Sequence, residues 1–267
     1  PPRAFARDHY QAQASPRTLL AVNARHPPAD PGGNNRDSLI SGPVHGPLPI
    51  LLLVLTCATG LVDAVSVLGL GRVFVANMTG NVVFLGFAAA GVPGFALAAS
   101  LAALAGFLIG ALAGGRLVAR RRSRRGTLLR DSAVIELVLL LLGVALLAIT
   151  PGTPGSAVAS MVAALAAAAL GLQNTTVRHL AVPDLTTTVL TMTLTGIAAD
   201  IRSARRPVVT RRILAVGTMF LGAVAGGLLV LHVRLAWALA PVPVLLAAVS
   251  SVLTVLLRGH PSWQDAP

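Results

Sequence analysis

The sequence predicts an all-α fold: a polytopic membrane helical bundle of two inverted repeats, with about six full crossings and two re-entrant or broken helices. Three observations carry this. First, 55% of the residues are hydrophobic, 11% are charged and mean hydropathy is +0.78, far from soluble averages. Aromatic residues make up only 4%, which suits close-packed helices rather than barrel strands with aromatic girdles. Second, apolar runs of bilayer-spanning length alternate with blocks of arginine. Third, the chain matches itself at a nearly constant offset.

In chain order, residues 1–45 are rich in Pro, Gly, Asn and Arg without apolar periodicity and are expected to be a disordered tail. They lack the compact pattern of a cleaved signal, so the first membrane helix is expected to direct targeting. The transmembrane domain spans 46–257, with repeat one at about 48–150 and repeat two at about 156–257. A first span at 48–70 carries Asp63. Residues 72–87, RVFVANMTGNVVFLGF, follow and are interrupted by Asn77, Thr79, Gly80 and Asn81. After the Gly-Val-Pro-Gly turn at 91–94, a helix at 95–118 runs into Arg116, Arg120, Arg121, Arg122, Arg124, Arg125 and Arg130. That block is expected on the cytoplasmic side.

A hairpin of helices at 132–149 and 156–176 is joined by the Pro-Gly-Thr-Pro-Gly turn at 151–155, with Glu136 expected at the interface, paired with arginine. A short Thr-rich apolar segment at 185–199 precedes a second basic block of Arg202, Arg205, Arg206, Arg211 and Arg212. Helices at 213–231 and 235–257 and a polar tail at 258–267 complete the chain, with His232 and Arg234 capping a loop. Cys57 is the single cysteine, so no disulfide forms within the chain, and its place in an apolar run suits a small buried hydrophobe.

The repeat is anchored by Gly-Leu-Val-Asp-Ala at 60–64, which recurs as Gly-Leu-Gln-Asn-Thr at 171–175. Gly-Ala-Leu-Ala-Gly-Gly at 110–115 recurs as Gly-Ala-Val-Ala-Gly-Gly at 222–227. The same register sets Thr79-Gly80-Asn81 on Thr191-Met192-Thr193 and Asp63 on Asn174. The 95–118 helix is followed by its arginine block, whereas its partner at 213–231 is preceded by one, so the two run in opposite senses under the positive-inside rule. Inversion needs an odd number of crossings per half. Each half has four apolar segments, so the polar-interrupted one is expected not to cross. The alternative is eight crossings in parallel repeats.

A Thr-Gly-Asn inside hydrocarbon is tolerated only against protein or a wet cavity. Asn77, Thr79, Gly80, Asn81, Gln173, Asn174, Thr187, Thr188, Thr191 and Thr193 are the expected substrate-binding set, as neutral donors and acceptors that replace part of a hydration shell. Asp63 is an intramembrane carboxylate whose partner keeps the shape without the charge, and proton coupling is expected of it. The runs Gly106, Gly110, Gly114 and Gly222, Gly226 suit close helix packing.

The net charge of +12 comes from 21 basic residues, all arginine, in blocks with no interleaved aromatics, so orientation in a membrane explains it and nucleic acid does not. His-Glu-x-x-His, Gly-x-Ser-x-Gly, Walker loops and metal-spaced Cys or His are missing, so no enzyme, metal site or cofactor is expected. A scaffold or an intramembrane enzyme are the alternative classes to a transporter.

Gly-Leu-Val-Asp-Ala, then Val-Phe-Val-Ala-Asn-Met-Thr-Gly-Asn, then Gly-Leu-Gln-Asn and the Thr-Thr-x-x-Thr segment resemble the YoaK-like multipass membrane proteins over roughly 48–257. That family is a domain of unknown function. The resemblance implies a bacterial inner-membrane protein, loosely described as a small-molecule permease, whose partners are the lipid bilayer and an unidentified small solute. Met192 departs from the Thr-Gly usual in the second motif.

Overall fold

The computed structural model describes residues 45–182, 185, 187, 190–200, 206–259 and 261–264. The expected tail at 1–44, Thr188, Arg202 and Arg205 lie outside the described residues, as do the side chains of 199, 200 and 206–208. The helices are α1 Leu48–Gly69, α2 Met78–Ala89, α3 Leu97–Arg121, α4 Arg125–Ile149, α5 Ser156–Leu180, α6 Leu190–Asp200, α7 Arg206–His232, α8 Leu235–Leu239 and α9 Pro241–Leu257. Among the described residues six spans are long and apolar enough to cross a bilayer: α1, α3, α4, α5, the Val209–His232 part of α7, and α8 with α9. At 12 residues, α2 is about 18 Å long and cannot cross a hydrocarbon layer of about 30 Å.

In α1 a proline occupies the first turn, where its missing amide costs nothing. The hydroxyls of Thr56 and Thr59 donate back to the Leu52 and Leu55 carbonyls at 2.8 and 2.9 Å, so neither is left unpaired. The helix stops where Gly71 (φ 93°) and Arg72 (φ 58°) turn left-handed.

Close packing is concentrated in two helix pairs. Along the first, Gly60 lies on the Met219 carbonyl, Gly222 on that of Cys57 and Gly226 on that of Leu61. Along the second, Gly171 lies on the Phe107 carbonyl, Gly110 on that of Ala168 and Gly114 on that of Leu172. Every residue of one set is 111 or 112 positions from its counterpart in the other. A β-carbon at any of these glycines would crowd backbone, so the approach needs their small size. Since 57 meets 222 and 61 meets 226, α1 and α7 run side by side in one direction, and α3 and α5 do likewise.

The ends of the bundle fix the other directions. His45 before α1, Arg125 at the start of α4 and Leu180 at the end of α5 meet at one end, with the Arg125 guanidinium donating to the Leu180 carbonyl at 2.5 Å. Trp263 packs there too, over Gly46 and Gly126, so part of the expected polar tail is folded against the bundle. At the other end Leu68, Leu147, Thr150, Pro154, Val233 and Leu235 line one cavity. Thus α1 and its counterpart α5 run oppositely, as do α3 and α7, and α4 and α9.

Three differences from the expected helix limits bear on the site and its surroundings. Helix α4 starts at Arg125 rather than 132, and α7 at Arg206 rather than 213. Arginines near helix starts are thus helical, with Arg125 buried as a cap on α5. The last span breaks at Ala240, ahead of Pro241, whose ring cannot continue α8. Placing α4 earlier also corrects Glu136. It is no interfacial partner of arginine: it is buried and accepts from Ser132 Oγ at 2.8 Å, and Ser132 in turn takes a bond from Thr176 Oγ1 at 3.1 Å. Among the described residues the salt bridges join Asp131 to Arg121 and Arg130.

Candidate functional site

After the turn at Gly71 and Arg72 the chain runs back into the bundle beside α1. Ser66 Oγ donates to the Val73 carbonyl at 2.8 Å, and Asp63 Oδ1 accepts the amides of Val75 at 2.9 Å and Ala76 at 3.0 Å. Backbone groups of an irregular segment, otherwise orphaned in hydrocarbon, are satisfied this way. Asn77 then caps α2, accepting the Gly80 amide at 3.4 Å. Asn81 is buried and used up locally: it accepts from the Phe74 amide at 2.8 Å and donates to the Phe74 carbonyl at 2.5 Å. Helix α2 leads back out, with Phe84 stacked on Phe74 (5.6 Å between centroids) and Phe95 against Phe84 and Phe87. The segment 72–87 therefore enters as extended chain and leaves as a short helix.

The start of α2 faces the start of α6 across a cavity of about 360 Å³. Its lining falls into pairs at the repeat offset: Asp63 with Asn174, Met78 with Leu190, Thr79 with Thr191, and Phe107 with Met219. Asn77, Phe74 and Ala76 complete it. Phe107 sits roughly 15 Å along α3 at 1.5 Å per residue, so the cavity lies near mid-depth. The first residues of two helices, Met78 and Thr79 of α2 and Leu190 and Thr191 of α6, border it, which brings the positive ends of two helix dipoles toward the cavity.

Of the expected binding set, Asn77, Thr79, Asn174 and Thr191 line this cavity. Gly80 packs on the Phe74 ring. Gln173 is buried and donates to Thr59 Oγ1 at 3.1 Å. Thr193 is buried, and Thr187 Oγ1 is buried without a hydrogen-bond partner among the described residues. Phe74, Phe107 and Met219 are lining residues that sequence reasoning missed. The last two were findable, since the repeat register pairs them and sets them three residues before Gly110 and Gly222. A larger cavity of about 460 Å³ at the end of the bundle is lined by none of the expected site residues. Among the described residues no three His, Cys, Asp or Glu side chains gather where they could hold a metal ion.

Residues 51–252 match the family described as "Protein of unknown function (DUF1275)". The chain belongs to that family. It is similar to the UPF0700 transmembrane protein YoaK of Bacillus subtilis (strain 168), with 32% identity over 152 residues. That match covers 56% of this chain and 66% of the relative, so the chain spans just under two thirds of the relative's length. No solved structure matches it. Family membership and six membrane-capable helices make this a multipass membrane protein in contact with lipid.

Proposed function

We propose that the protein is a transporter of the bacterial inner membrane that binds a small solute between the facing starts of α2 and α6. The observation that carries this is the cavity itself, mid-depth and lined by residue pairs from the two halves. Opposed directions of α1 and α5, of α3 and α7, and of α4 and α9 support two inverted repeats, an arrangement that lets one half rock against the other around a central site. The arginine-rich end, where α3 finishes and α4 starts, is assigned to the cytoplasm by the positive-inside rule. Thr79, Thr191, Asn77 and Asn174 are the polar contacts for the solute. Asp63 is the proton-coupling group, since it borders the cavity while one of its oxygens holds the amides of Val75 and Ala76. No catalytic step is assigned to any residue.

The test is reconstitution of the purified chain into vesicles holding a pH-sensitive dye, followed by challenge with a panel of small solutes, some neutral (urea, glycerol and erythritol) and some cationic (tetramethylammonium and larger organic cations). Solute entry above that of empty vesicles is expected, reduced by Thr79→Ala with Thr191→Ala. Asp63→Asn should uncouple entry from the pH gradient. Entry equal to that of empty vesicles would remove the transport reading.

A further inference from the structure

We infer that the solute is a lipophilic organic cation that reaches the site sideways from the bilayer; this rests on the transport reading above. The polar cavity is not closed toward lipid. A second cavity of about 420 Å³ adjoins it and shares four of its wall residues, Asp63, Phe74, Leu190 and Met219. The rest of the second cavity's lining is Gly60, Ala64, Val67, Val216, Phe220 and Ala223, all apolar or small. It lies beside the α1–α7 seam, with Phe74 and Leu190 on its other side, and opens where Phe220 is 66% exposed on the outer face of the membrane-crossing α7.

The repeat register puts Thr175 at the position of Ala64 and Arg178 at that of Val67. The face that matches the apolar annex is thus more polar in the other half, while the annex itself adjoins the half that holds the carboxylate.

The chemistry where the two cavities meet selects charge. Asp63 is the one acidic group on either lining, and no basic residue borders either cavity among the described residues. The rings of Phe74 and Phe107 and the thioether of Met219 surround the same space. A carboxylate beside aromatic faces in a site of low dielectric attracts a cation and repels an anion. An apolar annex continuous with that site takes the hydrophobic body of the same molecule. The two volumes fall in the range that holds drug-sized organic ligands.

The experiment measures equilibrium binding of radiolabelled tetraphenylphosphonium to the purified full chain in detergent, with tetraphenylborate and tetramethylammonium as competitors. Saturable binding is expected, unaffected by the lipophilic anion and displaced by tetramethylammonium only at much higher concentration. Asp63→Asn should weaken tetraphenylphosphonium by about tenfold or more. Val216→Trp, which fills the annex and leaves the polar cavity alone, should weaken it about tenfold while tetramethylammonium binding stays the same. A Val67→Arg variant, copying the other half, is the second block of the passage and should act the same way. Folding of each variant is checked by its melting temperature.

Absence of saturable tetraphenylphosphonium binding, equal competition by tetraphenylborate, or unchanged affinity in both annex variants overturns the inference. Those results leave transport standing if the neutral solutes still enter vesicles in a Thr79- and Thr191-dependent manner. Loss of that entry as well removes both readings.

Discussion

The two halves of the molecule agree along their glycine seams and differ around their short helices. Gly60, Gly222 and Gly226 make in one seam the contacts that Gly171, Gly110 and Gly114 make in the other. Around the cavity, by contrast, Asp63 stands where the other half has Asn174, and Asn81 stands where it has Thr193. The helix ends differ too. Helix α1 ends in the turn at Gly71 and Arg72, whereas α5 ends on the left-handed Ala181 with Arg125 reaching across to the Leu180 carbonyl. Backbone packing tolerates no departure from the shared geometry. Side chains facing a cavity are free to diverge, and it is there that the halves have done so.

If the seams are as demanding as their contacts imply, Gly110→Val and Gly222→Val should each destabilise the protein by about 3 kcal/mol. A lower melting temperature of the purified protein in detergent would report it. A neutral result at one position alone would break the equivalence of the two seams. Next in size is the clamp on Phe74. Asn81→Ala should cost about 1–3 kcal/mol, because it leaves a buried amide and carbonyl unpaired. The corresponding Thr193→Ala should cost about 1 kcal/mol or less. Equal losses would mean that the second half is held together in the same way as the first.

The sharpest comparison is an exchange. Asp63→Asn with Asn174→Asp moves the carboxylate across the cavity. Because the annex adjoins Asp63 and the matching face of the other half carries Thr175 and Arg178, tetraphenylphosphonium affinity should stay about tenfold or more below the wild type. Recovery to within about tenfold of the wild type, a difference of roughly 1.4 kcal/mol, would show that the cavity is shared evenly by the halves.

The smallest effect concerns the cap on α5. Burial, followed by the charges of Arg125 and Arg211, holds the His45 imidazole below its ordinary value of 6.5. The folded protein therefore keeps it neutral, as an acceptor for Arg125 at 3.3 Å. Below 6.5 the unfolded chain binds the proton more readily, so this contribution is present above that pH and is lost as pH falls toward the folded value. Melting between pH 7.5 and 5 should show a shallow decline that His45→Gln lessens. An unchanged slope would detach His45 from the cap.

Much of this was legible in the residues. Spans announce themselves by length and apolarity, and the interruption at Thr79, Gly80 and Asn81 marked the segment that does not cross. Small-residue spacing located both seams. What stayed hidden was which polar atoms face inward. Asn81 carries the same chemistry as Asn77, yet one spends its amide on Phe74 and the other borders the cavity. That choice depends on the direction in which the chain re-enters, which no local pattern encodes. Glu136 was misplaced for a related reason: basic residues at 125 and 130 look like loop, and taking them so moves the carboxyl toward the surface. The aromatic side of the cavity was legible only through the repeat, because Phe107 is an ordinary apolar residue until the register pairs it with Met219.

The seams also bear on how the protein is made. Each joins a helix of one half to a helix of the other, so α1 enters the membrane with its glycine face uncovered and α7 still unsynthesised. At ~5–20 residues per second, the stretch between them takes on the order of ten seconds to translate. During that interval Gly60 and the neighbouring backbone face lipid or a chaperone, and this waiting period is where a seam mutation would expose the nascent chain to quality control.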